Sequence, residues 1–395
     1  MFLYVGTITE SSGSIHGSGK GMHVLSFDGE SMKCVQVISE KQPSVMQRYD
    51  DLLYVTNEVR DYCGLNGTGG GISCYRIVDD GMIEKVNDSI SYGARPSYVS
   101  RSFDHKYLFV SNHGSHSSVV CHYEKDENGV IQLVREFDDS NVVVFELNED
   151  GSIGQCIDLY QVEGSGYWCY GGGQSTSHLH CVKVNGRYIF TCNRGADEIE
   201  VFCLNGSKLE LVNTVQCRYG YAPRYMDIKG SYACVLYENY PCLSLFRIDD
   251  NSLIELDLCE TKNHSYYEKY PLPVFDKKHA DKDEINTCGM FDHSRSMPSD
   301  IHIHNDYVYV SNRCFDGKGS ISVIKIVDHH LEFIDEYELD GKDPRGFVVS
   351  EDGKYLFVAM CDIGNVVCYA LDEQSGKIIR EVDRIEVVGA SCVVA

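Results

Sequence analysis

The chain alternates short apolar runs with polar turns from end to end, and one arrangement of them recurs. A Pro-Ser-like dipeptide opens a short apolar run. A turn follows, then an aromatic-rich run that ends on a polar residue, then a third run of alternating character. The openings are Pro43-Ser44, Pro96-Ser97, Ser177-His178, Pro223-Arg224, Pro298-Ser299 and Pro344-Arg345. The second runs are Leu52–Asn57, Tyr107–Asn112, Tyr188–Asn193, Tyr232–Tyr237, Tyr307–Asn312 and Tyr355–Met360. Third runs include Gly71–Ile77, Glu198–Phe202, Ser320–Ile324 and Asn365–Tyr369. Short β-branched and aromatic runs bounded by Gly, Asn, Asp and Pro are strands. The openings lie 53, 81, 46, 75 and 46 residues apart, a basic period near 46 with two insertions. A four-stranded unit at that period predicts a β-propeller.

The two ends complete the count. Phe2–Thr7 matches a second strand and Gly21–Phe27 a third, while Ala390–Ala395 matches a first strand. Six full units plus one shared between the ends predict an all-β fold: a seven-bladed β-propeller with four-stranded antiparallel blades. One blade is closed by N- and C-terminal strands, which removes a free ring edge. The whole of 1–395 reads as one domain. Insertions are expected near 122–142, as a protruding hairpin, and near 259–296, as a rim or lid over one face.

Composition narrows the possible partners. The 395 residues include 35 Lys and Arg against 59 Asp and Glu, a formal charge of −24. Nucleic acid and anionic membranes require a basic surface, so neither is expected as a partner. No apolar run approaches the roughly 18 residues that span a bilayer. No basic start precedes Lys20, so a cytoplasmic protein is expected. The 18 cysteines are scattered singly through apolar runs and read as reduced core residues. The sequence leaves the oligomeric state open.

Candidate chemistry comes from comparing equivalent positions. In a propeller the start of the first strand and the end of the second meet at one face. After the openings stand Ser44, Ser97, His178, Arg224, Ser299, Arg345 and Ser391. After the second strands stand Ile8, Glu58, His113, Arg194, Glu238, Arg313 and Cys361. Against a background of Ser and Asn, the departures gather Arg, His and Glu around one end of the channel. Any one of them could simply satisfy loop groups. Together, in so acidic a protein, they suggest a forked anion site with proton-transfer groups beside it. Strand alternation turns His180 to the same side as His178, with a structural role open for one of the two.

Other motifs carry less. Gly17–Gly21 lacks the spacing of a phosphate loop, and there is no Gly-x-Ser-x-Gly elbow. His302 and His304 lack a matching carboxylate set and read as a solvated strand face; no metal or other cofactor is expected.

Several segments resemble a known family. Tyr4–Thr7, Asn57-Glu58, Glu163–Gly166, His178–His180, Pro223-Arg224 with Glu238, Ser311–Arg313 and Pro344-Arg345 are similar, in order, to the lactonase-type seven-bladed propellers. That group includes 6-phosphogluconolactonases and carboxy-cis,cis-muconate cyclases. The resemblance implies an active centre of His178, Arg224, Glu238 and Arg313; the blade comparison and strand alternation leave Glu58, His113, His180, Arg194 and Arg345 for substrate binding. It implies hydrolysis of a small anionic lactone, most simply 6-phosphogluconolactone, without a cofactor. A lactonising enzyme acting on a muconate-like acid and a non-catalytic binding scaffold are the alternatives. Two positions depart from the family pattern: Ser177 stands where a proline precedes the His pair, and Tyr237 replaces the Asn before Glu238.

Overall fold

A computed structural model describes residues 1–11, 17–138, 140–168, 173–275 and 295–395, with the side chains of 115–121 and 135–138 excepted. Seven four-stranded antiparallel sheets succeed one another around a central channel. Blade 2 comprises Pro43–Tyr49, Leu52–Asn57, Gly71–Ile77 and Ile83–Ile90. Blades 3 to 7 begin with Pro96–Arg101, Leu179–Asn185, Pro223–Lys229, Ser296–His304 and Pro344–Val349. Blade 1 holds Phe2–Thr7, Met22–Phe27 and Met32–Ile38, and Ala390–Val394 pairs antiparallel with Phe2–Thr7 to complete it. The expected closure by both ends of the chain is therefore present.

The core lies between blades. Second strands are buried almost throughout: Leu52–Asn57 and Tyr188–Asn193 are buried at all six positions. Strands buried on both faces need continuous apolar runs, which is why these segments stand out in the sequence. Fourth strands alternate between exposed and half-buried positions at the outer rim, as in Ile378–Glu386.

Four asparagines end second strands and tie each blade to the chain around it. Asn57 Nδ2 donates to Lys41 O at 2.7 Å, and Asn112 Nδ2 to Ser91 O at 2.7 Å. Asn193 Oδ1 accepts from the backbone N–H of His178 at 2.9 Å, and Asn312 Nδ2 donates to Thr261 O at 3.2 Å. Each fixes the residue that follows it at the mouth of the channel.

The insertion in blade 3 differs from expectation. Ser115–Lys125 pairs with Ile131–Asp138 as a separate two-stranded hairpin, earlier than the expected 122–142. Asn141–Leu147 is already the blade's third strand, because this apolar run pairs with Tyr107–Asn112 and is buried at Asn141 through Phe145. The second insertion begins after Glu260 and carries a short helix, His264–Lys269. Tyr267 is buried there and its hydroxyl donates to Pro241 O, which anchors the segment to blade 5. Residues 276–294 of the expected lid lie outside the described residues.

Candidate functional site

Each first strand carries a bulge at its start, and the bulge aims one side chain into the channel. In blade 2, Pro43 pairs with Asn57 and Val45 with Thr56, so Ser44 is the extra residue. The same shift leaves out Ser97, Arg224, Ser299, Arg345 and Ser391. A bulge re-aims a side chain without disturbing the strand beyond it. Ser97 and Ser299 use the position to bond the next blade's backbone, at 2.8 Å to Leu179 O and 2.7 Å to Pro344 O.

Blade 4 corrects one expectation. Leu179 pairs with Asn193 and Cys181 with Cys192, so the bulged residue is His180, not His178. Leu179, fully buried, takes the place that proline holds elsewhere. His178 belongs to another ring. Its carbonyl accepts the N–H of Arg194, as Gln42, Arg95, Ala222 and Asp343 accept from Glu58, His113, Glu238 and Cys361. His180 is thus the counterpart of Arg224 and Arg345.

Glu238 is the centre of the site. Its Oε1 accepts from Arg224 Nη1 at 3.1 Å and Arg313 Nη2 at 2.8 Å, and its Oε2 lies 2.5 Å from Arg194 Nε. All four side chains are buried. Burial alone would raise the Glu238 pKa, but the three guanidinium groups hold it well below the usual carboxylate range. Among the described residues it is the one carboxylate in ion-pair contact with any of the three. Backbone groups fix the arginines: Arg224 Nε donates to Ser299 O at 2.9 Å, and Arg313 Nε to Met297 O at 3.1 Å.

The histidines form a second group against it. His113 stacks on His178 with centroids 4.5 Å apart, and its edge meets His180 at 5.2 Å. His178 is fully buried, with Nδ1 2.9 Å from His113 O. A carbonyl partner places the proton on Nδ1. His180 Nε2 lies 2.6 Å from Arg224 Nη1. Arginine can only donate, so that nitrogen is an acceptor and the ring is neutral. Burial and Arg224 push the His180 pKa well below its ordinary value.

Below this layer the channel holds a cavity of about 50 Å³, bounded by Glu58, His180, Arg224, Asp300, His302 and Arg345 among others. That is room for about three waters. The structure thus joins Arg194, Arg224, Glu238, Arg313 and His180 by direct contact, and adds Glu58 and Arg345 through the cavity. Arg345 lies 3.9 Å from Asp343; burial alone would lower its pKa, but the Asp343 carboxylate outweighs it and keeps Arg345 charged.

Four residues escape the sequence comparison. Asp300 and His302 line the cavity; His302 faces the channel rather than a solvated outer face. Asp343 sits in the ring with His178. Fully buried Asp197 receives N–H groups from Gly220 at 2.7 Å, Ala222 at 2.9 Å, Tyr167 at 3.1 Å and Gln174 at 2.7 Å. It ties the loop after Arg194 to the one before Arg224. An aspartate in the loop Asn193–Asp197 is the available signal, and the spacing of repeats gives it no weight. No group of three or more potential metal ligands occurs among the described residues. No helix among them is long and apolar enough to cross a membrane.

Comparison with known proteins agrees with this architecture. Residues 2–395 match the family model described as lactonase, 7-bladed beta-propeller. A 6-phosphogluconolactonase from Formosa agariphila is 23% identical, with 98% of each chain covered. An uncharacterized protein from Staphylococcus saprophyticus is 21% identical over 90% of this chain and 87% of its own. A Pseudomonas aeruginosa periplasmic gluconolactonase superimposes with a TM-score of 0.76 at 22% identity, covering 100% of this chain and 98% of its own.

Proposed function

The chain belongs to the lactonase family of seven-bladed β-propellers, and from that premise we propose that it hydrolyses a sugar lactone, with 6-phosphogluconolactone as substrate. The observation that carries the reading is the Glu238 centre: one buried carboxylate shared by Arg194, Arg224 and Arg313 at the mouth of a water-sized cavity. The three guanidinium groups converge on one point, where an anionic ligand can meet them together. Forked donors suit a phosphate or carboxylate. The same donors stabilise the oxyanion that forms when water attacks the lactone carbonyl. Names of relatives that are 23% identical or less support the lactone class and leave its exact member to this proposal.

Glu238 acts here by posing the arginines. A carboxylate held ionised by three cations is a weak base, so proton transfer falls to an imidazole. His178 is the histidine that similarity brings forward and His180 the one that strand alternation adds, with His113 packed against both. Glu58 and Arg345 bound the cavity and meet the polar part of the substrate. A cytoplasmic location belongs to the same reading, supported by the unpaired state of the described cysteines.

The test is hydrolysis of 6-phosphogluconolactone generated in situ, with the product coupled to a dehydrogenase. Turnover well above the spontaneous rate, abolished in Arg224→Ala, is the expected result. A folded protein without such turnover overturns the substrate assignment. Competition between phosphorylated and dicarboxylated ligands then separates a sugar phosphate from a muconate-like substrate.

A further inference from the structure

Four imidazoles stand in or beside the cavity. His113 packs on His178 and His180 with Nδ1 3.2 Å from Gly114 O, and two more are engaged elsewhere. His180 directs Nε2 to Arg224, an acceptor position already filled. His178 is fully buried behind the His113 ring. His302 is different. It projects from the first strand of blade 6 into the same cavity as Arg224, Arg345 and His180. Its Nε2 faces Asp300 Oδ2 at 3.6 Å, and its ring packs edge-on to Phe347 at 4.9 Å. Asp300 is itself held in place: Oδ1 accepts from Ile301 N at 2.9 Å and Oδ2 from Phe347 N at 3.1 Å.

We propose that His302, oriented by Asp300, is the base that activates the hydrolytic water, facing Arg224 across the channel cavity. The inference rests on the lactonase reading above. With Nε2 turned to Asp300, Nδ1 is the nitrogen that takes the proton. A water in the cavity loses one proton to Nδ1 as its oxygen bonds to the lactone carbonyl carbon. The carbonyl oxygen becomes an oxyanion, which the guanidinium of Arg224 stabilises. When the intermediate collapses, the bond from carbon to ring oxygen breaks, and that oxygen takes the proton back from His302. The hydroxy acid formed then ionises to solvent. Asp300 touches no reacting atom and is a positioning residue.

The surroundings suit this role. Burial works against the charged imidazole, but the Asp300 carboxylate overrides it and raises the His302 pKa above 6.5. Asp227 acts in the same direction and Lys183 against it. Asp227 and Lys183 are paired with each other at 3.2 Å, and Lys183 also lies over the Tyr98 ring. Arg224 and His180 face the cavity from blades 5 and 4, Arg345 from blade 7, and Glu58 from blade 2. A base made more basic by a fixed carboxylate, opposite fixed cations, suits attack by water on a carbonyl.

The experiment is a pH profile of kcat and KM on 6-phosphogluconolactone, corrected for spontaneous hydrolysis, for the parent protein, His302→Gln, Asp300→Asn and Arg224→Ala. In His302→Gln, kcat is expected to fall by about 10²–10⁴, with the acid limb of the profile gone. KM should stay within about threefold, because the base contributes little to ground-state binding. Added imidazole should restore part of the rate. In Asp300→Asn the acid limb should move to lower pH, since the charge that raises the His302 pKa is removed. That variant decides the matter if His302→Gln fails to fold. A folded His302→Gln that keeps its rate and its acid limb while Arg224→Ala is inactive overturns the inference and leaves the lactonase reading standing. So does a loss of rate with the limb unmoved and no rescue. A folded parent protein that turns over no lactone overturns both.

Discussion

His180 Nε2 and Arg224 Nη1 lie 2.6 Å apart, and only one protonation state of the histidine allows it. A protonated imidazole would set a cation against a guanidinium. The ring is therefore neutral, and the pair extends the Glu238 network into the channel.

Acid should remove two stabilising contributions in turn. His180 has a folded pKa well below 6.5, so the unfolded chain binds more protons as pH drops past 6.5. Stability then falls with falling pH. Glu238 has a folded pKa well below 4.5, and its contribution is lost from about pH 4.5 down through that depressed value. The His180 contribution should be lost below about pH 6.5, against an opposing gain from Glu200, whose pKa burial raises to about 7, and the Glu238 contribution below about pH 4.5. In His180→Gln the first loss should be smaller, read as melting temperature in a calorimetric series.

Glu238→Gln keeps the shape and removes the charge. Three buried arginines then face one another without the carboxylate they share. Breaking one side of such a pair costs about 3–5 kcal/mol, and activity should fall at least about 10²-fold with it. Inorganic phosphate should recover more stability in this variant than in the parent. Denaturant unfolding with and without phosphate checks it.

Arg224→Lys is not conservative here. One guanidinium meets Ser299 O, His180 and Glu238 together, and an ammonium on a flexible stem cannot hold that fork. A fall of about 10- to 100-fold in kcat/KM is expected, larger than any change in melting temperature. Parallel kinetics and melting curves measure both.

The blade 3 hairpin should be dispensable for folding. Asn112 pairs with Asn141 at its base, so a short turn can join the flanking strands. Replacing 115–139 with a short glycine-containing linker should leave the melting temperature within a few degrees, because loop length costs little. Loss of cooperative melting would show that the hairpin supports the blade.

Ala390–Val394 is the opposite case. It supplies the channel-lining strand of blade 1 and covers Phe2–Thr7. Deleting 390–395 should expose a buried strand edge and yield aggregated protein on size-exclusion chromatography.

The blades, their number and their closure were legible because strands buried on both faces leave continuous apolar runs at a steady period. The post-strand ring of Glu58, His113, Arg194, Glu238 and Arg313 was legible for the same reason, since a preceding Asn or aromatic marks the strand end. Blade 4 was misregistered by two residues. Ser177 imitates the small polar residue of other openings, whereas the structure places the apolar Leu179 at the proline position. Asp300 carries no signal in the sequence, and His302 reads as a solvated strand face, because alternation along one strand does not say which face lines a channel and which a neighbouring blade.

The bulge at the head of every first strand makes the mouth of this channel a set of seven interchangeable sockets. Each holds one residue on the same backbone shape, and the strand beyond is indifferent to which residue it is. Four sockets hold serine, and three hold His180, Arg224 and Arg345. Reaction chemistry can therefore be rewritten one blade at a time, most readily at Ser44 and Ser391, since Ser97 and Ser299 also stitch their blades to the next.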